Sequence, residues 1–296
     1  MVLVAHLSDP HIGPLPQPRM RELMSKRLTG YVNWRRGRKS THDMGVLDRI
    51  LADLAAQEPD HIAFTGDVAN IGLTAEFPVA RAFLERLGPP ERVSFVPGNH
   101  DAYVRGSLKP LGASLGAWMT GDGAAQSHFP YVRRRDGIAF VGLSSAVPTL
   151  PFVASGTLGP EQVARMEELL AALREEKLCR VVMLHHPPYR GGAKIGRQLT
   201  DAEAFERAIG RVGAEIVLHG HNHRTSLIKL RGPEGDVPVL GAPSASAVRG
   251  AFTHRAGYHL VSIEPDGTRS AIKVRTRGLL PDGKTIGDLG EMALDS

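Results

Sequence analysis

Residues 95–101 read Phe-Val-Pro-Gly-Asn-His-Asp. An apolar run ends there in a Pro-Gly turn, and an amide, an imidazole and a carboxylate then follow one another. Such side chains are poor material for a core and are usually held at a site. Four other clusters resemble this one: Asp9-Pro-His11, Gly66-Asp67, His185-His186-Pro187 and Gly220-His221-Asn222-His223. Each follows a short apolar, partly β-branched run, namely VLVAHLS (2–8), HIAFT (61–65), RVVML (180–184) and EIVLH (215–219). Runs of this kind read as buried strands. Strand ends that all deliver Asp, Asn or His predict one shared metal site.

The intervening chain supports that reading. Residues 43–57 carry Val46, Leu47, Ile50, Leu51 and Leu54 on one helical face, with Thr41 or Asp43 placed to cap the start. A second helix is expected over 74–87. The β-α-β-α-β alternation through residue 101 predicts neighbouring parallel strands with their site residues at the C-terminal ends, where open α/β folds place ligands. Asp9 and His11 lie two apart, so an extended chain would turn both to one side. Residues 102–130 are glycine-rich and predict no definite element. Residues 131–144 read as two strands joined at Asp136-Gly137, a strong hairpin signal. The clearest helix spans 160–177, with Pro160 at its start and a stripe of Val163, Met166, Leu169, Leu170 and Leu173. After a helix over 201–210, short strands are expected at 224–230, 237–240, 258–264 and 269–275, with turns at 232–236 and 265–267. The drift from α/β to β-rich sequence suits a second sheet packed on the first. One domain over 1–277 is expected, with 278–296 as an interface arm or a disordered tail.

The 296 residues can bury a large core without disulfides, and the one cysteine, Cys179, excludes an intramolecular bridge. No apolar run approaches the length of a membrane span, and the N-terminus enters the first cluster at once, so a cytoplasmic protein is the expectation. The net charge of +5 is regional: residues 19–39 hold eight Lys or Arg against Glu22. That concentration gives no general case for a nucleic-acid partner, since no basic and aromatic interleaving follows elsewhere. Within 14–41, Pro14, Pro16 and Pro18 break any early helix. Met20, Leu23, Met24 and Leu28 then recur at helical spacing opposite Arg21, Lys26 and Arg27, predicting a short basic amphipathic helix.

A pair of divalent ions needs a bridging anionic oxygen, several imidazoles and an open position. Hard oxygens mixed with imidazole suit Mn, Fe or Zn. The sequence supplies Asp9, His11 and His223 for one ion and Asn99, His185 and His221 for the other, with Asp67 bridging. Two such ions about 4 Å apart would clamp a phosphoryl oxygen and activate a water. A leaving alkoxide also needs a proton, which makes His100 the general-acid candidate.

In this order and spacing, DxH, GD, GNHD, HHPP and GHNH resemble the calcineurin-like metallophosphoesterases. The likeness is greatest to the bacterial branch with class III cyclic nucleotide phosphodiesterases and glycerophosphodiesterases, and it spans residues 9–223. The resemblance implies an αββα sandwich of two mixed sheets, two divalent ions on the residues just named, and direct attack by a metal-bound hydroxide. It further implies that His100 contacts the phosphate and protonates the leaving oxygen, that Asp101 orients His100, and that His185 precedes His186 as the ligand. His186 then lies behind the ligands or in packing, and it stands with Arg35 and Arg36 as a candidate for substrate contact.

The basic segment 14–41 has two readings. One is a solvated loop. The other is a lid whose Met20, Leu23, Leu28, Tyr31 and Trp34 face a lipid or the inner membrane surface, with Arg residues on anionic head groups. The first function expected is a phosphodiesterase acting on a phosphate ester. The second is a pyrophosphatase acting on a nucleotide-linked lipid such as UDP-diacylglucosamine, although relatives with that substrate often carry Arg where this chain has His100. A third is a non-catalytic scaffold of the same fold, which usually loses ligands that are all present here. His6 and His219 are expected as satisfied core histidines, and His42, His61, His128, His254 and His259 are expected to have no site role.

Overall fold

The computed structural model describes residues 1–126, 128–264 and 271–294. The first strand, β1 (Val2–Leu7), is almost wholly buried, as a continuous apolar run requires. Helices α1 (Met20–Leu23) and α2 (Arg27–Arg36) follow within the basic segment. Helix α3 (Met44–Ala56) begins where the Asp43 carboxylate accepts the Val46 amide at 3.0 Å, and it buries the predicted stripe. Then come β2 (His61–Phe64), α4 (Glu76–Leu87), β3 (Val93–Phe95) and α5 (Arg105–Leu115). Strands β1, β2 and β3 are parallel neighbours, with Val4 opposite His61 and Ile62 opposite Val93.

The second sheet opens with the hairpin β4 (Tyr131–Arg135) and β5 (Ile138–Gly142). Asp136 and Gly137 both take positive φ, 48° and 81°, as an Asp-Gly type I′ turn demands. Helix α6 (Pro160–Glu175) buries Val163, Met166, Leu170 and Leu173, each worth roughly 1.5–3 kcal/mol when fully removed from water. Strand β6 (Cys179–Met183), helix α7 (Ala202–Val212) and strands β7 (Ile216–His219), β8 (Ser226–Arg231) and β9 (Asp236–Gly241) complete this half. The chain then returns to the first sheet as β10 (Gly257–Glu264), β11 (Ala271–Leu279) and β12 (Ile286–Leu294).

Both sheets are six-stranded and mixed, in the orders β12-β11-β10-β1-β2-β3 and β4-β5-β6-β7-β9-β8. One core joins Leu7, Phe64 and Phe95 of the first sheet to Phe140, Val181, Met183 and Leu218 of the second, with α3 and α4 packed against it. A separate cluster packs Met166, Leu170, Phe205 and Ile209 of α6 and α7 on Val182, Val217 and Val239. The result is the expected αββα order of layers, which sets the C-terminal ends of β1, β2, β3, β6 and β7 around one point.

Several expectations fail. The helix expected around residues 20–28 breaks after four residues, and Met20, Met24 and Leu28 stand 82%, 87% and 51% exposed. The buried side chain is Arg27, assigned from sequence to the polar face. Its guanidinium donates to Ile71 O, Gly72 O and Ser107 Oγ, and anchoring these acceptors outweighs packing of the methionine stripe. Residues 102–130, for which no definite element was expected, hold α5 despite Pro110 within it. The segment from 278 onward is no free tail, because β12 pairs antiparallel along β11, with Lys273 opposite Ala293. The turn expected at 265–267 and the start of the strand expected at 269 fall outside the described residues, as do 295–296. Among the described residues no helix is long and apolar enough to cross a membrane.

Candidate dimetal site

The backbone at the strand ends is bent into uncommon geometry. Asp9, His11, Asp67, His221 and His223 have φ of 52°, 41°, 58°, 68° and 50°. Left-handed φ at non-glycine residues costs on the order of 1–3 kcal/mol each, and clusters of it are typical of sites. The loops are tied together: Asp9 N donates to Gly66 O at 2.9 Å, His11 N to Asp67 O at 3.1 Å and Gly220 N to His185 O at 3.0 Å. Two glycines let the carboxylates in. A Cβ at Gly98 would overlap the Asp67 carboxylate, and one at Gly220 would overlap Ser8 Oγ and Asp9 Oδ2.

Two donor groups result, and Asp67 belongs to both. In the first, His223 Nε2 lies 3.1 Å from His11 Nε2 and 3.3 Å from Asp9 Oδ1, and His11 Nε2 lies 3.8 Å from Asp67 Oδ2. In the second, His185 Nε2 lies 3.3 Å from the same Asp67 Oδ2 and 3.3 Å from His221 Nδ1, which lies 2.9 Å from Asn99 Oδ1. Metal–nitrogen bonds of about 2.1 Å put adjacent ligand atoms roughly 3.0–3.4 Å apart, so most of these separations match the edges of a coordination polyhedron. The imidazoles are preset. His11 Nδ1 and His185 Nδ1 donate to Ala69 O (3.1 Å) and Thr65 O (2.7 Å), which leaves each Nε2 with its lone pair toward the centre. Asp9 Oδ1 is buried without a hydrogen bond. A carboxylate oxygen so placed fits a cation, and the whole set fits two divalent ions.

The electrostatics agree. Burial works against charge on Asp67, but His185, His100 and His11 hold its carboxyl well below the usual range. Burial also works against a proton on His185, yet Asp67 and then Asp9 raise it to about 9. Burial and His185 hold His186 down at about 3, and burial and its imidazole neighbours hold His221 well below its ordinary value.

His100 lines the cleft beside this centre. Its backbone N–H donates to Asp67 Oδ1 at 2.7 Å and its Nδ1 donates to Asn70 O, so Nε2 is the nitrogen able to meet a leaving oxygen. The group that orients His100 is thus Asn70 O, not Asp101 as expected. Asp101 instead accepts the amides of Asp67, Ala69 and Gly98 at 2.8–2.9 Å and pins the β2 and β3 loops to each other. Burial, with Asp67 beside it, pushes the Asp101 carboxyl up to about 7, against the amides that favour the carboxylate. His186 is buried, with Nδ1 on Ser145 Oγ (2.8 Å) and Nε2 on Ala154 O (3.1 Å), so both nitrogens are committed away from substrate. Arg35 and Arg36 end α2 in solvent and do not line the cleft.

The cleft of about 390 Å³ over the centre is lined instead by His42, Arg197, Asn222, Arg249 and His254 with the candidate ligands. A larger depression of about 910 Å³ lies away from it, around Glu91, Asp122 and Arg135. His42 and His254 were both expected to have no role. The signal for His42 was its place where the basic segment rejoins the fold, one residue before the Asp43 cap. His6, His61, His219 and His259 are buried on Thr65 Oγ1, Ser94 Oγ, Gly220 O and Gly241 O, but His6 and His219 are not fully satisfied as expected, because His6 Nδ1 and His219 Nε2, like His61 Nδ1, are buried without a hydrogen bond.

A family model described as calcineurin-like phosphoesterase matches residues 2–225. The chain is 26% identical over 245 residues to the glycerophosphodiester phosphodiesterase GpdQ of Enterobacter lignolyticus, covering 78% of this chain and 74% of that protein. It is 26% identical over 226 residues to a protein of Synechococcus sp. named as a probable cyclic nucleotide phosphodiesterase, covering 74% and 78%. Among solved structures it matches a dimetal phosphatase from Danio rerio with a TM-score of 0.61 at 11% identity, covering 99% of this chain and 98% of that one. The purple acid phosphatase PPD1 of yellow lupin matches with a TM-score of 0.60 at 14% identity, over 99% of this chain and 53% of that one. At such identities these structures establish a shared fold.

Proposed function

This chain belongs to the calcineurin-like phosphoesterases and is a metal-dependent phosphoric ester hydrolase, and from that premise we propose that it is a phosphodiesterase with His100 as its proton donor. The observation that carries the reading is the pair of donor groups sharing Asp67 Oδ2, with His100 fixed to the other oxygen of that carboxylate. Asp9, His11 and His223 would hold one divalent ion, Asn99, His185 and His221 the other, and Asp67 both. When bound, the ions supply polarisation of a phosphoryl oxygen and a water of lowered pKa. Their donors suit Mn, Fe or Zn.

The residues of the chain do the rest. Arg197 and Arg249 at the cleft give cationic partners for the non-bridging oxygens of a diester. Asn70 O holds the Nδ1–H of His100, so that in the imidazolium form Nε2–H can pass its proton to the departing alkoxide and leave the neutral ring, a transfer worth typically 10²–10⁴-fold. The diesterase names of the relatives support a diester over a monoester. The test is hydrolysis of bis-p-nitrophenyl phosphate with Mn²⁺. Activity is expected from the native chain and its loss from Asp67→Ala and Asn99→Ala, whereas robust turnover by either variant would contradict the ligand assignment.

A second reading, cleavage of a nucleotide-linked lipid at a membrane face, has one observation in its favour. Lys26 Nζ donates to Thr149 Oγ1 (2.6 Å) and Val153 O (2.8 Å), bringing the basic segment against the 149–153 loop. Exposed Met24, Leu28, Leu150 and Phe152 flank that contact. Flotation with anionic liposomes separates the readings: deletion of 19–39 should abolish binding if the lipid reading holds, and a native chain that stays unbound would remove it.

A further inference from the structure

His42 is held at the centre by an anchor of its own. Ser246 Oγ lies 2.7 Å from Pro10 O, a carbonyl that only accepts, so the hydroxyl proton is committed there. The same oxygen lies 2.7 Å from His42 Nδ1, which must therefore be the donor. That fixes the tautomer and leaves the lone pair of His42 on Nε2. The backbone is fixed as well: His42 bridges Ala247, Asp43 N donates to Ser246 O at 2.9 Å and Val248 N donates to Thr41 O at 2.9 Å. His11 and His185 likewise set Nδ1 on an oxygen of the scaffold, Ala69 O and Thr65 O.

The rings of His11, His42 and His223 are mutually inclined. Their centroids are 4.7 Å apart for His11 and His42, 5.0 Å for His11 and His223, and 5.7 Å for His42 and His223. Imidazoles that point nitrogens at one ion over bonds of about 2.1 Å have centroids about 3.2 Å from it, hence roughly 4.5–5.2 Å apart at right-angle to tetrahedral openings. One nitrogen from each of the three lies within 4.8 Å of the other two. The His42–His223 pair is wider than that range, so His42 has to move inward to close the set.

We propose that His42 is an additional ligand of the ion held by Asp9, His11 and His223, contributed by the end of the 14–41 segment. This rests on the dimetal reading above and makes the two positions unequal. The first has three imidazoles with Asp9 and Asp67; the second has two with Asn99 and Asp67. The nitrogen-rich position is the one for Zn or Fe, and the other for the harder ion.

The test is titration of the chelator-treated full chain with Co²⁺, read by visible absorption and by metal analysis after desalting. The native chain should take two equivalents. His42→Ala should bind one of them about 10–100-fold more weakly, with altered band position and intensity, while the other is unchanged. Melting of the metal-free proteins serves as the folding control. If His42→Ala unfolds, His42→Gln is read in the same way, since its amide can still donate to Ser246 but offers no imidazole nitrogen. Two equivalents bound with native affinity and a native spectrum by a folded variant would overturn the proposal and leave the dimetal reading standing. A native chain that fails to take two equivalents would overturn both.

Discussion

The polar residues of the 95–101 stretch divide the work between them, and substitution separates the shares. Asn99→Ala should lose metal. His100→Asn should keep both metals and lose about 10²–10⁴-fold in rate, least with nitrophenolate leaving groups that need no proton. Metal analysis beside a comparison of alkyl and nitrophenyl esters checks this. Asp101→Asn turns an amide nitrogen toward the amides of Asp67, Ala69 and Gly98, which should cost about 1–3 kcal/mol and show as a lower melting temperature. Had Asp101 aimed His100, the rate would fall with stability intact. His185 brings a pH dependence to the metal-free protein. Burial disfavours its proton, but Asp67 lifts it to about 9, above the 6.5 of a free imidazole. The stabilisation by that proton is fully present below about pH 6.5 and is lost as pH rises through 9, so melting of chelator-treated protein should fall over that interval. At this scale the convergence of the seven candidate ligands could be expected from the sequence because each sits in a short local motif. The orienting partner of His100 could not, since Asn70 O is a backbone atom brought in by a loop thirty residues away.

The elements were legible where burial imposes a period. Helices α3 and α6 carry full apolar stripes, and the Asp136-Gly137 turn declares its hairpin. Helix α5 was hidden because its buried face is only Ser107, Leu111 and Leu115, interrupted by Pro110. Strand β12 was hidden because an edge strand with glycines at 287 and 290 and one face in water has little to alternate. The basic segment misled for a different reason: an exposed methionine stripe looks amphipathic, while the residue that docks the segment is an arginine. Arg27→Ala takes the guanidinium away from Ile71 O, Gly72 O and Ser107 Oγ, of which Gly72 O keeps the Ser107 hydroxyl. It should loosen 14–41 and speed tryptic cleavage near Arg35 and Arg36, with little change in the melting of the rest. Cleavage at the native rate would show that Arg27 does not hold the segment.

Across the whole molecule, one sheet supplies Asp9, His11, Asp67 and Asn99 and the other supplies His185, His221 and His223. The family resemblance implied the two-sheet sandwich, but the β-rich late sequence that suggested a second sheet supplies β10, β11 and β12 to the first one, and His42 required knowing where the 14–41 segment returns. Metal bound between the sheets should stabilise both together, by about 2.7 kcal/mol at a hundredfold excess over Kd. The decisive measurement is metal content and diester hydrolysis on one preparation, stripped with chelator and reconstituted with Mn²⁺, for the native chain and for Asp67→Ala. Two ions per native chain with hydrolysis restored, and loss of both metal and hydrolysis in the variant, are expected. Fewer than two ions in an active native chain, or undiminished hydrolysis by Asp67→Ala, would contradict the dimetal reading.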